Sequence, residues 1–173
     1  MSGLFIIPLG GLKEGGHSYN FEVGDEFFEL FEGSEITRGE LNVVIDLKKR
    51  STHMDLIFSI KGTVMINCDR CLEQFSHPVS CENRLLIKFG KNWDVNDPDM
   101  LTIPEDEHEL DVKQYIYEFI HLALPIKRIH PLDKQGRSKC NPEMVKKIKE
   151  HTVFSEKESD PRWDELKKLM NNN

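Results

Sequence analysis

Apolar positions recur at two different periods along the chain, and the change of period divides it. In residues 41–47, Leu41, Val43, Ile45 and Leu47 alternate with Asn42, Val44 and Asp46. In residues 54–60, Met54, Leu56, Phe58 and Ile60 alternate with Asp55, Ile57 and Ser59. A period of two places each set on its own face of a strand. Joined by the polar turn 48–52, these runs predict an antiparallel pair with one buried face. Gly62 predicts a turn or bulge before a strand over 63–67. A longer strand follows, with Val79, Cys81, Leu85, Ile87 and Phe89 on one face. Short strands are predicted over 4–9 and 19–23, separated by the Gly-rich connection 10–16. After them, Asp25 predicts the cap of a short helix running to Phe31, with Phe27, Phe28, Leu30 and Phe31 on its apolar side and Gly33 as its stop.

Beyond residue 110 the period becomes helical. Val112, Ile116, Phe119, Ile120 and Ala123 recur at three- and four-residue spacing. Asp111 is the predicted cap, Gln114 holds the reciprocal capping-box position, and Leu110 is placed to staple onto Tyr115. Pro125 prevents continuation. Asn141–Pro142 and Asp160–Pro161 each predict a helix start with proline in the first turn. Trp163, Leu166, Leu169 and Met170 give the last helix an apolar stripe. Strands followed by helices predict an α+β fold, a curved antiparallel sheet with C-terminal helices. One domain is expected over 1–151, β-rich over 1–90, an acidic loop over 91–110 and helical and basic over 111–151. Residues 152–173 are expected to be a linker and a C-terminal helix.

A chain of 173 residues buries about 70% of its unfolded surface, so its core requires neither disulfides nor metal. No apolar run approaches the roughly 20 residues of a membrane span. Residues 1–12 lack the basic start and long apolar stretch of a signal peptide, so a cytoplasmic location is expected. The net charge of −7 taken as an average argues against nucleic acid. Its distribution reopens the question, with two solvated surface stretches as the plainer reading. Residues 92–111 hold eight acids and no Lys or Arg. Residues 125–149 hold Lys127, Arg128, Lys134, Arg137, Lys139, Lys146, Lys147 and Lys149 against Asp133 and Glu143, a local +6 that leaves −13 on the rest. Such segregation lets one face attract polyanions while the whole stays acidic.

Four cysteines complete the candidate chemistry: Cys68, Cys71, Cys81 and Cys140. Cys81 lies on the apolar side of its strand, where core packing is expected. Cys68-Asp69-Arg70-Cys71 sits in a turn between strands, and two thiolates at that spacing can reach one zinc ion. Cys140, before a helix start, and His130, ten residues earlier, complete a Cys₃His set, a common structural zinc site. Free thiols with a surface histidine are the plainer alternative. Thioredoxin-like redox chemistry is the third, although it wants the first cysteine at a helix N-terminus.

The run from Gly62 through Cys68-Asp69-Arg70-Cys71-Leu72, with Phe75, Pro78 and the strand to Phe89, resembles the signature of the YceD family. Leu122-Ala123-Leu124-Pro125, His130, Cys140 and Asp160-Pro161-Arg162-Trp163, with Leu166 and Leu169, extend the resemblance. It implies a bacterial cytoplasmic protein, or a plastid relative, needed for normal accumulation of large-subunit ribosomal RNA. It implies no established catalytic activity. Many relatives carry further C-terminal cysteines. Here His130 and Cys140 alone occupy that region, so the four-ligand set is the minimal one.

Against that resemblance, Arg70, Lys127, Arg128, Arg137, Lys139, Lys146, Lys147 and Lys149 become candidate contacts to RNA phosphates. Arg70 has the competing reading of an ion pair with a carboxylate. The basic segment lacks aromatics for base stacking, which points to phosphate or shape contacts. No P-loop, GxSxG or HExxH motif is present. His121 reads as a packing or surface residue. The expectation is therefore a non-enzymatic factor that binds large-subunit RNA or a pre-ribosomal particle. The alternative is an acidic chaperone whose Glu22, Asp25, Glu26, Glu29, Glu32 and residues 92–111 hold a basic ribosomal protein.

Overall fold

The fold is described by a computed structural model for residues 5–91, 93–94 and 100–152. Strand β1 (Ile6–Pro8) is followed by β2 (Gly15–Val23), helix α1 (Asp25–Glu29), and three long strands, β3 (Arg38–Lys49), β4 (His53–Asn67) and β5 (Gln74–Gly90). Then come β6 (Met100–Pro104), β7 (Glu109–Asp111), α2 (Lys113–Leu122) and α3 (Pro142–His151). Five strands form one sheet in the order β2-β3-β4-β5-β6, and β1 pairs with β7 separately.

The α+β expectation holds, with one change of sheet type. β2 to β5 run antiparallel, but β6 joins β5 in parallel, so the sheet is mixed. The stretch read as an acidic loop over 91–110 contains β6 and the first two residues of β7. Leu101 and Ile103 are buried on either side of Thr102, an alternation too short to stand out in an acidic run. The predicted third helix, the acids Asp97 and Asp99, and all of the linker except Thr152 lie outside the described residues.

The period-two pattern does what it predicts. Leu41, Val43, Ile45 and Leu47 are buried beside Met54, Leu56, Phe58 and Ile60 of the neighbouring strand. Phe27 and Phe28 of α1, Ile7 and Leu110 of the β1–β7 pair, and Ile116 and Ile120 of α2 belong to the same core. Phe119 meets Phe58 edge-on at 5.1 Å, and Phe31 stacks on Tyr117 at 3.8 Å. Cys81 lies under α2, its thiol 3.8 Å from the Phe119 carbonyl, as the packing expectation requires.

Three local expectations change. Asp25 is the first helical residue of α1, preceded by Gly24, and its carboxylate accepts from the Gly39 N–H at 2.9 Å. Asp111 accepts from Lys113 N–H at 2.8 Å and does support the α2 start, but Gln114 donates to Glu118 instead of reaching back. Gly62 neither turns nor bulges the chain, since β4 pairs with β3 continuously through it. Its role is close approach. A Cβ there would lie 2.1 Å from the Glu40 carbonyl oxygen and 2.6 Å from the Leu41 Cα. Backbone cannot yield as a flexible side chain can, so Gly62→Ala forces β3 and β4 apart. We expect it to lower unfolding free energy by about 2 kcal/mol, within the usual range for overpacking. Urea denaturation reads this directly, and unchanged stability would contradict the close packing.

Candidate metal centre

β4 and β5 are joined by the six residues 68–73, and the cysteine pair occupies this connection. Cys68 N–H donates to the Glu73 carbonyl at 2.9 Å, and Leu72 N–H donates to the Cys68 carbonyl at 2.9 Å. The turn closes through Leu72, whose φ of 62° is left-handed, an uncommon conformation for a branched side chain. This tight closure puts Cys68 and Cys71 on the same side of the turn and buries both.

The segment after α2 comes to this turn along a two-way backbone contact. Asp69 N–H donates to the Arg128 carbonyl at 2.7 Å, and Arg128 N–H donates to the Asp69 carboxylate at 2.7 Å. The contact fixes His130 two residues on, with its ring 4.7 Å from that of Phe75. Residues 132–138 then double back. Leu132 bridges Ser138, and Asp133 accepts from the N–H groups of Gln135 and Arg137, both at 2.8 Å. This small loop returns the chain to Cys140, which is buried. Asn141 caps α3 as its sequence predicts, accepting from Glu143 N–H at 3.0 Å, and its amide donates to Glu73 at 2.7 Å. The cap is thereby tied to the cysteine turn.

The four ligand atoms converge. Cys68 Sγ lies 3.7 Å from Cys140 Sγ, and Cys71 Sγ lies 3.4 Å from His130 Nδ1. All four lie within 4.8 Å of one another. Zinc with Zn–S near 2.3 Å and Zn–N near 2.0–2.1 Å has tetrahedral S···S edges of about 3.8 Å and S···N edges of about 3.6 Å. These two separations match tetrahedral edges, and the donor set of three thiols and one imidazole suits a closed structural site. No disulfide joins the cysteines. The pair lies between two strands, so it lacks the helix N-terminus of thioredoxin-like chemistry.

Electrostatics distinguish the two turn cysteines. Burial alone would raise the Cys68 thiol, but backbone N–H groups of Cys71 and Arg70, with His130, outweigh it and bring the pKa down to about 6. Burial and the neighbouring Cys68 sulfur raise Cys71. One thiolate forms readily here and opposes a second beside it, an imbalance that a cation relieves.

The basic candidates separate by role. Arg128 is half-buried and paired with Glu35, and its backbone is engaged with Asp69, so it positions the segment and is not a free phosphate contact. Arg137 is paired with Asp133 inside the 132–138 loop at 2.9 Å. Lys146 reaches Glu150 at 3.8 Å on the exposed face of α3. Arg70, Lys127, Lys139, Lys147 and Lys149 are exposed and make no ion pair among the described residues. Arg70 therefore has no carboxylate partner among the described residues. Of the acidic candidates, Glu22 is on β2, and Asp25, Glu26 and Glu29 are on α1, all exposed.

Asp69, Glu73 and Glu35 are the residues that sequence reasoning passed over. Asp69 lies inside the cysteine motif, and its capacity for local backbone bonding was the available signal. Asp69→Ala removes one of the two bonds to Arg128. We expect a loss of about 1 kcal/mol, the usual net value of one such bond, with faster hydrogen exchange at Arg128 and Ile129. Unchanged exchange there would contradict the positioning role.

The family model described as large ribosomal RNA subunit accumulation protein YceD matches residues 56–170. No curated protein and no solved structure matches the chain. The matched span begins in β4 and contains the cysteine turn, His130, Cys140 and the basic segment, and on that match the chain belongs to the YceD family of large ribosomal RNA subunit accumulation proteins.

Proposed function

We propose that the chain is a non-enzymatic factor in large-subunit ribosomal RNA accumulation that binds RNA through a cationic surface fastened to its sheet by zinc. The observation that carries this reading is the convergence of Cys68, Cys71, His130 and Cys140, because these residues join the basic segment to the β4–β5 turn. Zinc held by these four would supply a cross-link between the two segments and no chemistry at a substrate. The protein's own residues do the rest. Asp69 and Arg128 set the register of the segment, the 132–138 loop returns the chain, and Asn141 starts α3. Lys127, Lys139, Lys147 and Lys149, with Arg70 in the turn, are then offered to phosphates from a fixed frame, and Lys146 joins them because its 3.8 Å contact with Glu150 is open to solvent.

Rigid presentation matters because counterion release rewards several simultaneous phosphate contacts. Each residue that must first be ordered subtracts from that gain. The acidic remainder of the chain opposes indiscriminate binding to RNA.

Two measurements test the two halves separately. Protein purified under reducing conditions is expected to hold one zinc per chain by elemental analysis, and Cys140→Ser is expected to lose it. Zinc-free wild-type protein would overturn the metal half. Binding to large-subunit RNA is expected to weaken with salt at a log–log slope of about −0.7 per single-strand phosphate neutralised. Reversing Lys146, Lys147 and Lys149 to Glu is expected to reduce the slope by roughly 2. A flat salt response, or a triple variant that binds as well as wild type, would overturn the RNA half.

A further inference from the structure

β2 is an edge strand. It pairs with β3 over all nine residues without a bulge, and its other side meets no backbone partner among the described residues. Two hydrogen bonds fix which groups are open. Gly39 N–H donates to Asp25, on the β2 side of β3, while Arg50 N–H donates to the His53 carbonyl, on the β4 side. Backbone direction alternates along a strand, so the odd residues of β3 face β2. Pairs such as Tyr19 with Ile45 and Phe21 with Val43 are therefore the hydrogen-bonded ones. The N–H and C=O groups of Gly16, Ser18, Asn20 and Glu22 point to the free edge. The strand contains no Pro, Lys or Arg, the residues that commonly guard such an edge.

We propose that this edge pairs with the β2 edge of a second copy, antiparallel about a two-fold axis at Tyr19, to form one ten-stranded sheet. This goes beyond the RNA reading and does not depend on the metal. The register follows from the open groups. A two-fold at Tyr19 sets Ser18 against Asn20 and Gly16 against Glu22, so all four open residues in each copy are hydrogen-bonded.

The exposed side chains then match level by level. Glu22 faces Gly16 of the other copy, whose β3 neighbour is Lys48. Gly16 places no side chain between them, and Gly16 and Lys48 line a concavity on this face of the sheet. Asn20 faces Ser18 of the other copy, whose β3 neighbour is Asp46, so amide and hydroxyl donors meet a carboxylate. On the opposite face, the half-buried His17, Tyr19 and Phe21 of each copy extend into one aromatic row. Neither Glu22 nor Lys48 is in an ion pair among the described residues. An isologous contact of this kind closes on itself and cannot propagate into fibres.

Sedimentation of the full chain tests the pairing. The expected result is a reversible dimer of twice 20.1 kDa. Asn20→Pro removes an outward N–H and leaves the β3 ladder intact, so it is expected to give a folded monomer. Glu22→Lys is expected to weaken dimerisation about tenfold through like charge. Adding Lys48→Glu to Glu22→Lys is expected to restore it. That exchange stays informative even if the proline variant misfolds. A wild-type monomer at ~100 μM, a folded Asn20→Pro dimer, or a charge exchange without rescue would each overturn the proposal. So would β2 amides that gain protection from exchange with another protein and never with concentration.

Discussion

Residues 126–139 contain no buried apolar side chain, so burial of hydrophobic surface does not hold this segment in place. Ile126, Ile129 and Leu132 face solvent. What fixes the segment is the seam to the β4–β5 turn. It consists of the reciprocal Asp69–Arg128 backbone contact, the Asn141–Glu73 bond, and the cluster of three thiols and an imidazole. Net hydrogen bonds contribute about 1 kcal/mol each. An apparent ~10–16 kcal/mol for zinc in small structural sites exceeds that by an order of magnitude. The position of every basic side chain on 127–139 follows from this seam, and the direction of α3 follows from Asn141.

The sheet has no such dependence. Its core runs from β2 to β6 and is closed by α1, α2 and the β1–β7 pair, with apolar residues throughout. The dividing line runs through the thiols: Cys68, Cys71 and Cys140 belong to the core, while residues 126–139 add no buried apolar side chain to it. Loss of the seam is expected to free the segment and leave the sheet folded. In such an arrangement a structural ion would act on the geometry of a surface instead of on global folding. The charge of +6 over residues 125–149 lies within the same stretch of chain that reaches the turn, although Arg128, Arg137 and Lys146 in it are paired with carboxylates.

Much of the sheet was legible because its alternation is strict and its strands are long. The inward sets on β3 and β4 can be read one residue at a time. β6 and β7 were hidden, since three to five residues give too few alternations to compete with surrounding acids. Gly62 carried a breaker signal that the fold uses differently, and only the approach of Glu40 and Leu41 reveals why. The four metal-ligand candidates were legible as residue types and spacing, including a partner 72 positions from Cys68. Their fastening was not. Asp69, Glu73 and Glu35 act on backbone or side chains about 60 to 90 positions away, and no local pattern encodes those pairings. Arg128 resembled its basic neighbours in sequence and differs from them only through Glu35 and Asp69.

The central proposal is that a zinc ion held by Cys68, Cys71, His130 and Cys140 would fasten the basic segment and little else. Hydrogen exchange of the full chain, with and without a zinc chelator under reducing conditions, addresses it most directly. Chelation is expected to remove protection from amides over 127–141 and at Cys68 and Leu72, while β3, β4 and β5 remain protected. Protection over 127–141 that survives chelation, or a sheet that loses protection together with it, would contradict the claim.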